Sequence, residues 1–392
     1  MVPAPIPQPS HPCPTRTRPL AIQHCFRTLR DPRRVHRRRH LLLDIVVIAL
    51  CAVICKCTDW QQVATWAQHH RQWLEGFLHL PNGIPSHDTF ERVFDRLDPQ
   101  VFQACFRQWI LGVCDILHIP HVAIDGKTLR HSGSEKLGPL HVVSAWATTN
   151  HLVLGEVAVA EKSNEIKAIP QLLELLAIEG ALVTIDAMGC QKEIARTIRE
   201  RKADYVLTVK DNQPHLLEDI QAKILEAYED PQLSQQLDEW EIEERGHGRI
   251  EKRSYTVLTD AQGLRGQEAW PDLCVIGMCT SERTVEGKTS AEVSYFIGSR
   301  RAGARVYGRV LRGHWGVENN LHWHMDVHFG EDANRVQKRI GAENLAVVRR
   351  MALALLKRHP AKLSIPCKQT AAAADMDFLK EILAPKPNLE NR

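Results

Sequence analysis

The sequence lacks an apolar run long enough to cross a bilayer. Its main run, residues 41–55, carries Asp44 and falls short of the roughly 20 residues that a spanning helix needs, so it predicts a buried helix and no membrane partner. A Pro- and Arg-rich segment precedes it, which excludes a signal peptide. The 11 cysteines are scattered and odd in number, which excludes a disulfide framework and favours a reduced, cytoplasmic protein. The net charge is only +3 and internal repeats are absent, as in ordinary soluble proteins.

A basic block near the start is the main departure from this even composition. Nine arginines and a single acid, Asp31, lie within residues 16–39. Such a block is either a solvated arm or a contact surface for a polyanion. We predict that Arg33, Arg34 and Arg37 contact DNA. The Pro-rich residues 1–26 are predicted to form a disordered lead.

Residues 27–118 have helical periodicity. The predicted helices are 41–56, 59–78, 86–97 with Ser86 as N-cap, and 102–117. Short helices joined by the Gly/Pro turn at 81–85 either place one helix in a DNA groove or form a plain bundle. The pattern predicts a small helical domain with a DNA-binding role, and the plain bundle stays open as an alternative.

Strand patterns begin near residue 121. Apolar strands are predicted at 122–124, 140–147, 153–159, 181–185 and 205–209, with helices at 164–178 and 192–201. Three strands followed by helix, strand, helix and strand are typical of the ribonuclease-H-like fold. We therefore expect an α/β ribonuclease-H-like domain at 119–360, with a mostly β insertion at about 230–305 and a C-terminal tail at 361–392.

Two aspartates terminate predicted strands of this domain. Asp125 follows the first strand and Asp186 follows the fourth. In this topology the two strands are neighbours, so their carboxylates would face each other and repel unless a proton or a cation intervenes. Carboxylate oxygens are hard ligands that suit Mg²⁺ or Mn²⁺. The pattern favours a divalent-metal site, although a single Asp at a strand end more often caps a turn.

A third ligand is expected beyond the insertion, in segment 312–327. On a helix, His314, Glu318 and His322 share one face with the apolar Leu321 and Met325. Glu318 on this face either completes the metal site or is a solvated residue of an amphipathic helix. The residues by themselves leave both interpretations open.

Neighbouring residues offer further interpretations. Glu331 and Asp332 are rival third acids, but they lack helical placement opposite the two strands. Trp315 and Trp323 are predicted to be core anchors rather than platforms for stacked bases.

The sequence around these acids resembles the DDE transposases of bacterial insertion sequences, in particular the H-repeat-associated, or Rhs-linked, branch. The matching stretches are DPRR (31–34), ALCAVICKCTDW (49–60), SHDTFERVFDRLDP (86–99), VAIDGKTLRHS (122–132), VTIDAMGCQKEIA (183–195), ADYVLTVKDNQP (203–214), RGHGRIEKR (245–253) and RGHWGVENNLHWHMDVHFGEDANR (312–335). The likeness covers roughly residues 27–360, and eight such stretches in order are highly specific.

This resemblance implies a transposase that cleaves and joins DNA by two-metal in-line phosphoryl transfer. It implies two Mg²⁺ or Mn²⁺ ions held by Asp125, Asp186 and Glu318, with Asp125 bridging them. The implied partners are double-stranded DNA, as terminal inverted repeats and target, and further copies of the chain on that DNA. The implied location is the bacterial cytoplasm, at the nucleoid when bound. A nuclease without strand transfer and a DNA-binding protein that no longer cuts remain alternatives, although the three intact acids argue against the latter.

Further DNA contacts are predicted near the acids. They are Lys127 and Arg130 after the first acid, Lys210 and Asn212 past a nearby strand, His247 and Arg249 in the insertion, and His314. The wider superfamily typically has a tyrosine seven residues before the glutamate, an arginine four before it and a lysine seven after it. Those positions here hold Leu311, His314 and Met325, a departure that concerns the handling of strand ends.

Overall fold

The computed structural model describes residues 22–114, 120–129, 140–149, 151–159, 164–246, 248–333, 336 and 338–383. Two of the predicted DNA contacts, Arg130 and His247, lie outside the described residues. So do residues 1–21 of the predicted lead and 384–392 of the predicted tail.

The first part of the chain is helical, as predicted. Its helices are α1 Ile22–Cys25, α2 Leu42–Ile54, α3 Trp60–His69, α4 Arg71–Glu75, α5 His87–Phe94 and α6 Pro99–Cys114. The single helix predicted at 59–78 is wrong, because α3 ends at His69 and the next residue, His70, leaves helical backbone angles (φ −106°, ψ 19°). The Trp66 carbonyl oxygen accepts the backbone N–H of His70 at 3.1 Å and also contacts the His70 ring at 2.8 Å.

Strands of the described residues form one mixed sheet. They are β1 His121–Leu129, β2 Leu140–Ala147, β3 Leu152–Val159, β4 Leu182–Ile185, β5 Asp204–Val209, β6 Leu237–Gly246, β7 Arg249–Leu258, β8 Val275–Val285 and β9 Lys288–Gly298. Their order is β3-β2-β1-β4-β5-β9-β8-β7-β6. β4 runs parallel to β1 and to β5, and the other neighbours are antiparallel. The first and fourth strands are therefore adjacent, as the prediction of paired acids required.

The predicted β insertion continues this same sheet. β9 pairs with β5, with Leu207 opposite Ile297, so that β6–β9 extend the sheet beyond the first five strands. Glu286 and Gly287 form the turn between β8 and β9, both with positive φ (49° and 78°), as in type I′ two-residue hairpin turns. β8 is buried at its start and β9 at its end, whereas the ends of both strands that meet at this turn are mostly exposed.

Later helices cover the sheet and join it to the N-terminal part. They are α7 Glu165–Glu174, α8 Lys192–Glu200, α9 Pro214–Glu229, α10 Ala304–His314, α11 Trp323–Val327, α12 Arg339–Arg358, α13 Ile365–Ala374 and α14 Met376–Leu383. α12 is buried along most of its length and packs against α2, α6 and β3. The region predicted as a tail contains α13 and α14, because the buried Leu379 and Ile382 anchor α14 in the core.

α2 is a core helix, as its apolar surface on all sides predicts. Every residue from Asp44 to Ile54 is buried. The Asp44 carboxylate is satisfied because it accepts a hydrogen bond from the Leu80 backbone N–H at 3.0 Å. Among the described helices, none combines the length and the apolar character needed to span a bilayer.

Gly126, directly after Asp125, leaves room for a buried contact between a histidine and a glutamate. A Cβ at this position would collide with the Glu165 carboxylate and the His141 ring, which contact each other beside β1. We expect Gly126→Ala to lower the free energy of unfolding by about 1–3 kcal/mol, because closely packed neighbours would have to move. Chemical denaturation measures this loss. Gly246→Ala is the control, since a Cβ there meets nothing within 4 Å, and equal effects of both changes would contradict the prediction.

Candidate active site

The two predicted strand-end acids stand side by side. The parallel register of β1 and β4 pairs Ile124 with Ile185, so Asp125 and Asp186 take the next position along each chain. Asp186 directly follows β4, as predicted. Asp125 lies within β1, which continues along β2 to Leu129, so its predicted place at a strand end holds only for the pairing with β4.

The turn after Asp186 is held by side chains. The Asp186 carboxylate accepts a hydrogen bond from the Gly189 N–H at 3.3 Å. Asn212, which was predicted to contact DNA, donates its side-chain amide to the Ala187 carbonyl at 2.7 Å. Asn212 therefore ties the segment after β5 to the segment after β4. Lys210 is exposed at the same edge, and its DNA contact stays a prediction.

Glu318 lies more than 130 positions after Asp186 in the sequence. It begins one turn of π-helix, Glu318–His322, between α10 and α11, a feature that is frequent at functional sites. The His322 Nδ1 atom lies 3.5 Å from Asp125 Oδ2 and 3.6 Å from Glu318 Oε2. One potential ligand atom from each of Asp125, Glu318 and His322 lies within 4.8 Å of the others. In the described part of the chain, no other group of three such side chains meets this criterion.

The surroundings shift the pKa values of Asp125 and Glu318 in opposite directions. Burial raises the pKa of Asp125 to about 6; His322 counteracts this, while Glu318 and Asp186 add to it. The neighbouring His322 ring lowers the pKa of Glu318. Carboxylates that raise the pKa of a neighbouring acid favour a proton or a cation between them. The donor set can therefore hold a divalent ion.

A buried network lies next to the acids on the same side of the sheet. His121 Nε2 and His314 Nδ1 both contact Thr184 Oγ1, at 2.8 and 3.0 Å. Each of the three residues lies shortly before one of the acids. His121 is four positions before Asp125, Thr184 is two before Asp186 and His314 is four before Glu318. These spacings keep each pair on one face of its strand or helix. A hydroxyl has one proton, so Thr184 donates to one imidazole and accepts from the other. The network thus links β1, which carries Asp125, to β4 and α10, which immediately precede Asp186 and the turn of Glu318.

His314 belongs to this network through its Nδ1 atom, and its DNA contact stays a prediction. Burial lowers its pKa to about 4, which keeps the ring neutral near pH 7. A neutral imidazole whose Nδ1 is already bound to Thr184 offers no charge to a phosphate. The structure gives His314 a role in packing α10 against the sheet.

Removing the Thr184 hydroxyl is expected to make the positions of the three acids less well fixed. Thr184→Val keeps the volume but leaves buried imidazole nitrogens without partners, which should lower the free energy of unfolding by about 1–3 kcal/mol. A small displacement of α10 should also slow DNA cleavage by about 10–100-fold with little change in DNA affinity. Single-turnover cleavage and DNA-binding titrations separate these effects. Thr184→Ser retains the hydroxyl and should stay near wild type; equal behaviour of the two variants would contradict the positioning role.

Lys127 is buried in a second network instead of facing solvent. Its side chain is 9% exposed, and its Nζ contacts Asp326 and, at 3.0 Å, Glu331. Glu331 also pairs with Arg350 Nη1 at 2.8 Å. Arg350 Nε lies 2.6 Å from the Glu156 carboxylate, at an angle outside that of a hydrogen bond. The predicted phosphate contact of Lys127 is thus replaced by ion pairs, and Glu331, the rival third acid, is held by cations.

The basic block contains both inward and outward arginines. Arg33 is 8% exposed, donates twice to the Asp31 carboxylate at 2.9 and 2.7 Å and donates to the His40 carbonyl at 2.6 Å. This side chain is structural, which corrects its predicted DNA contact. Arg34 and Arg37 are exposed, so their DNA contacts remain predictions. Arg249 is 40% exposed and pairs with Glu251 at 2.7 Å, and its DNA contact also remains a prediction.

Two tryptophans beside the site are exposed, so the prediction of core anchors is wrong. Trp315 is 64% and Trp323 is 50% exposed. In and beside the π-helical turn, the buried apolar residues are Val317, Leu321 and Met325 instead. Sequence reasoning placed His322 on the face of Glu318 but missed its approach to Asp125, which depends on contacts between distant parts of the chain.

Family comparisons agree with this geometry. The model described as "Transposase DDE domain" matches residues 117–355, and one described as "DDE_Tnp_1-associated" matches residues 23–110. The chain belongs to the DDE transposase family. The resemblance predicted from the sequence is thereby confirmed. As a DDE transposase, the chain is a polynucleotidyl transferase or endonuclease, and membership implies dependence on a divalent metal.

Several relatives of this DDE transposase match nearly end to end. "H repeat-associated putative transposase YhhI" of Escherichia coli (strain K12) is 35% identical, over 90% of this chain and 95% of its own length. The "Uncharacterized protein in dhlA 3'region" of Xanthobacter autotrophicus is 41% identical, over 71% of this chain and 94% of its own. A cryo-EM structure of the piggyBac transposase synaptic complex with hairpin DNA aligns with a TM-score of 0.42 and 11% identity, over 91% of this chain and 77% of that one. A likeness that weak adds nothing to the family membership.

Proposed function

We propose that this DDE transposase cuts DNA at the ends of an insertion sequence and joins those ends to target DNA by two-metal in-line phosphoryl transfer. The observation that carries the proposal is the approach of Glu318 and His322 to Asp125, which lies beside Asp186 at the edge of the parallel strands. The strand order β3-β2-β1-β4-β5, with β4 parallel to both β1 and β5, supports a ribonuclease-H-like core.

Asp125, Asp186 and Glu318 would hold two Mg²⁺ or Mn²⁺ ions, with Asp125 shared. The donor set fits, because carboxylate oxygens are hard ligands and because burial, together with the neighbouring Glu318 and Asp186, raises the pKa of Asp125. When bound, the ions supply an activated oxygen nucleophile and stabilise the leaving oxygen at a DNA phosphodiester.

The contribution of the chain itself is to fix the acids before DNA arrives. The network of His121, Thr184 and His314 links β1, β4 and α10. The turn after Asp186 is held through Gly189 and Asn212. Groups that are held in place before the reaction need little rearrangement during it, and this preorganisation lowers the activation free energy.

DNA contact in this proposal rests on exposed cations. Arg34, Arg37 and Lys210 are exposed, and such side chains bind phosphates without reading sequence. Two element ends must be brought together for joining, so we propose that further copies of the chain assemble on the DNA, in the bacterial cytoplasm.

The test uses purified protein, Mg²⁺ and a DNA fragment that carries both ends of the element with the gene. The proposal predicts strand cleavage at those ends and products joined to a target plasmid. Cleavage without joined products would support a nuclease, and binding without cleavage would support a DNA-binding protein that no longer cuts. A fragment with scrambled ends is the control for specificity.

A further inference from the structure

His322 is the one imidazole in the group of three potential ligands, and its place has a chemical consequence. The side chain is 5% exposed, and its Nδ1 atom points at Asp125 and Glu318. Its other nitrogen, Nε2, is buried without a hydrogen-bond partner among the residues that the structure describes. The two acids are therefore the polar groups against which this ring is held.

The separations distinguish two kinds of contact. Nδ1 lies 3.5 Å from Asp125 Oδ2 and 3.6 Å from Glu318 Oε2, longer than the roughly 2.7–3.2 Å of a good hydrogen bond. Two ligands at about 2.1 Å from one ion lie between about 3.0 Å and 4.2 Å apart. Both distances fall in that range, and one oxygen of each acid lies within 4.8 Å of one oxygen of the other, so small side-chain movements would let the three side chains share an ion.

We infer that His322 is a nitrogen ligand of the ion held by Asp125 and Glu318, and that it makes the site prefer a first-row transition ion such as Mn²⁺ over Mg²⁺. The inference rests on the proposed function, because it adds a ligand to the metal site proposed there. Mg²⁺ prefers a shell of oxygen atoms, whereas imidazole suits first-row transition ions such as Fe²⁺, Ni²⁺ and Zn²⁺; Mn²⁺, at the weakly binding start of that row, accepts an imidazole more readily than Mg²⁺ does. A site with carboxylates alone would give Mg²⁺ and Mn²⁺ similar surroundings.

Electron spin-echo spectroscopy of the Mn²⁺-loaded full chain tests the ligand directly. Wild-type protein should show the modulation of a directly bonded ¹⁴N nucleus, replaced by the ¹⁵N pattern after labelling with ¹⁵N-histidine. Mn²⁺ that binds in an Asp125-dependent manner without nitrogen modulation would overturn the inference and leave the carboxylate site intact. Mn²⁺ uptake that is unchanged in Asp125→Asn would instead overturn the proposed site, and the inference with it.

A substitution provides a second readout that does not depend on activity. His322→Asn places an amide oxygen near the position of Nδ1, so the Mn²⁺ affinity should fall by about tenfold or more while the Mg²⁺ affinity changes little. His328→Asn, in the same segment but outside the group of three ligands, should retain both affinities. Thermal unfolding checks that both variants fold. Equal losses for Mn²⁺ and Mg²⁺ in His322→Asn would contradict a nitrogen ligand.

Discussion

Asp125→Asn is expected to reduce DNA cleavage by about 10³-fold or more, equivalent to at least about 4 kcal/mol of transition-state stabilisation. Asparagine keeps the size of the side chain but removes the charge that attracts the ions. Asp125 is also the acid on which the neighbouring charges converge, since His322, Glu318 and Asp186 all shift its pKa. Single-turnover cleavage of an end fragment at saturating Mg²⁺ measures the loss.

The same substitution should leave the fold intact. Burial and the neighbouring acids disfavour the charge of Asp125, so asparagine should keep or raise the thermal stability in EDTA. Asp230→Asn, after α9, is the matched control, because its side chain accepts backbone hydrogen bonds from Gln232 and Leu233 that an amide oxygen can also accept. Cleavage within a few-fold of wild type in Asp125→Asn would remove this residue from the chemistry.

Glu331→Gln is expected to lower the free energy of unfolding by about 3–5 kcal/mol, the largest effect on stability that the structure predicts. Burial would raise the pKa of Glu331, but Arg350 and Lys127 outweigh it and lower the pKa to about 2. A neutral amide would leave Lys127 with Asp326 alone and Arg350 with Glu156 alone, so each buried cation would lose one of its two acidic partners. Urea denaturation at pH 7 measures the change.

Acid titration gives this prediction a second measurement. The folded pKa of Glu331 lies below its ordinary value of 4.5, so its stabilisation is present above that pH and is lost as the pH falls towards 2. Glu331→Gln should flatten this part of the profile. Asp88→Asn is the surface control, because the Asp88–Arg92 pair is exposed and should contribute less than about 1 kcal/mol. If Glu331→Gln had wild-type stability but bound no metal, Glu331 would be the third acid and Glu318 would lose that role.

Local sequence patterns were enough to predict the strands that carry the acids. Alternation of apolar residues and the helices between strands indicated where Asp125 and Asp186 lie, and β1 and β4 are indeed adjacent. Helical spacing placed Glu318 and His322 on one face, and they do lie close together. These successes share a cause, since each depends on the regular geometry of one element or on the pairing rules of a sheet.

The wrong predictions concern contacts between distant parts of the chain. Lys127 follows an acid and was expected to meet phosphate, but its partners lie about 200 positions later. The contact between His314 and Thr184 was not predicted, because the two residues are 130 positions apart in the sequence. Trp315 and Trp323 are apolar, yet the turn of π-helix between them faces the core with other side chains. Arg33 was a local pattern that could have been recognised, because Asp31 is only two residues away.

The central claim is that Asp125, Asp186 and Glu318 bind divalent ions in one site. An anomalous difference map from crystals grown with Mn²⁺ tests it most directly. We predict Mn²⁺ peaks bonded to carboxylate oxygens of all three residues, with Asp125 contributing to both ions. A map at saturating Mn²⁺ with no peak at these side chains, or with Glu318 remote from both aspartates, would contradict the account.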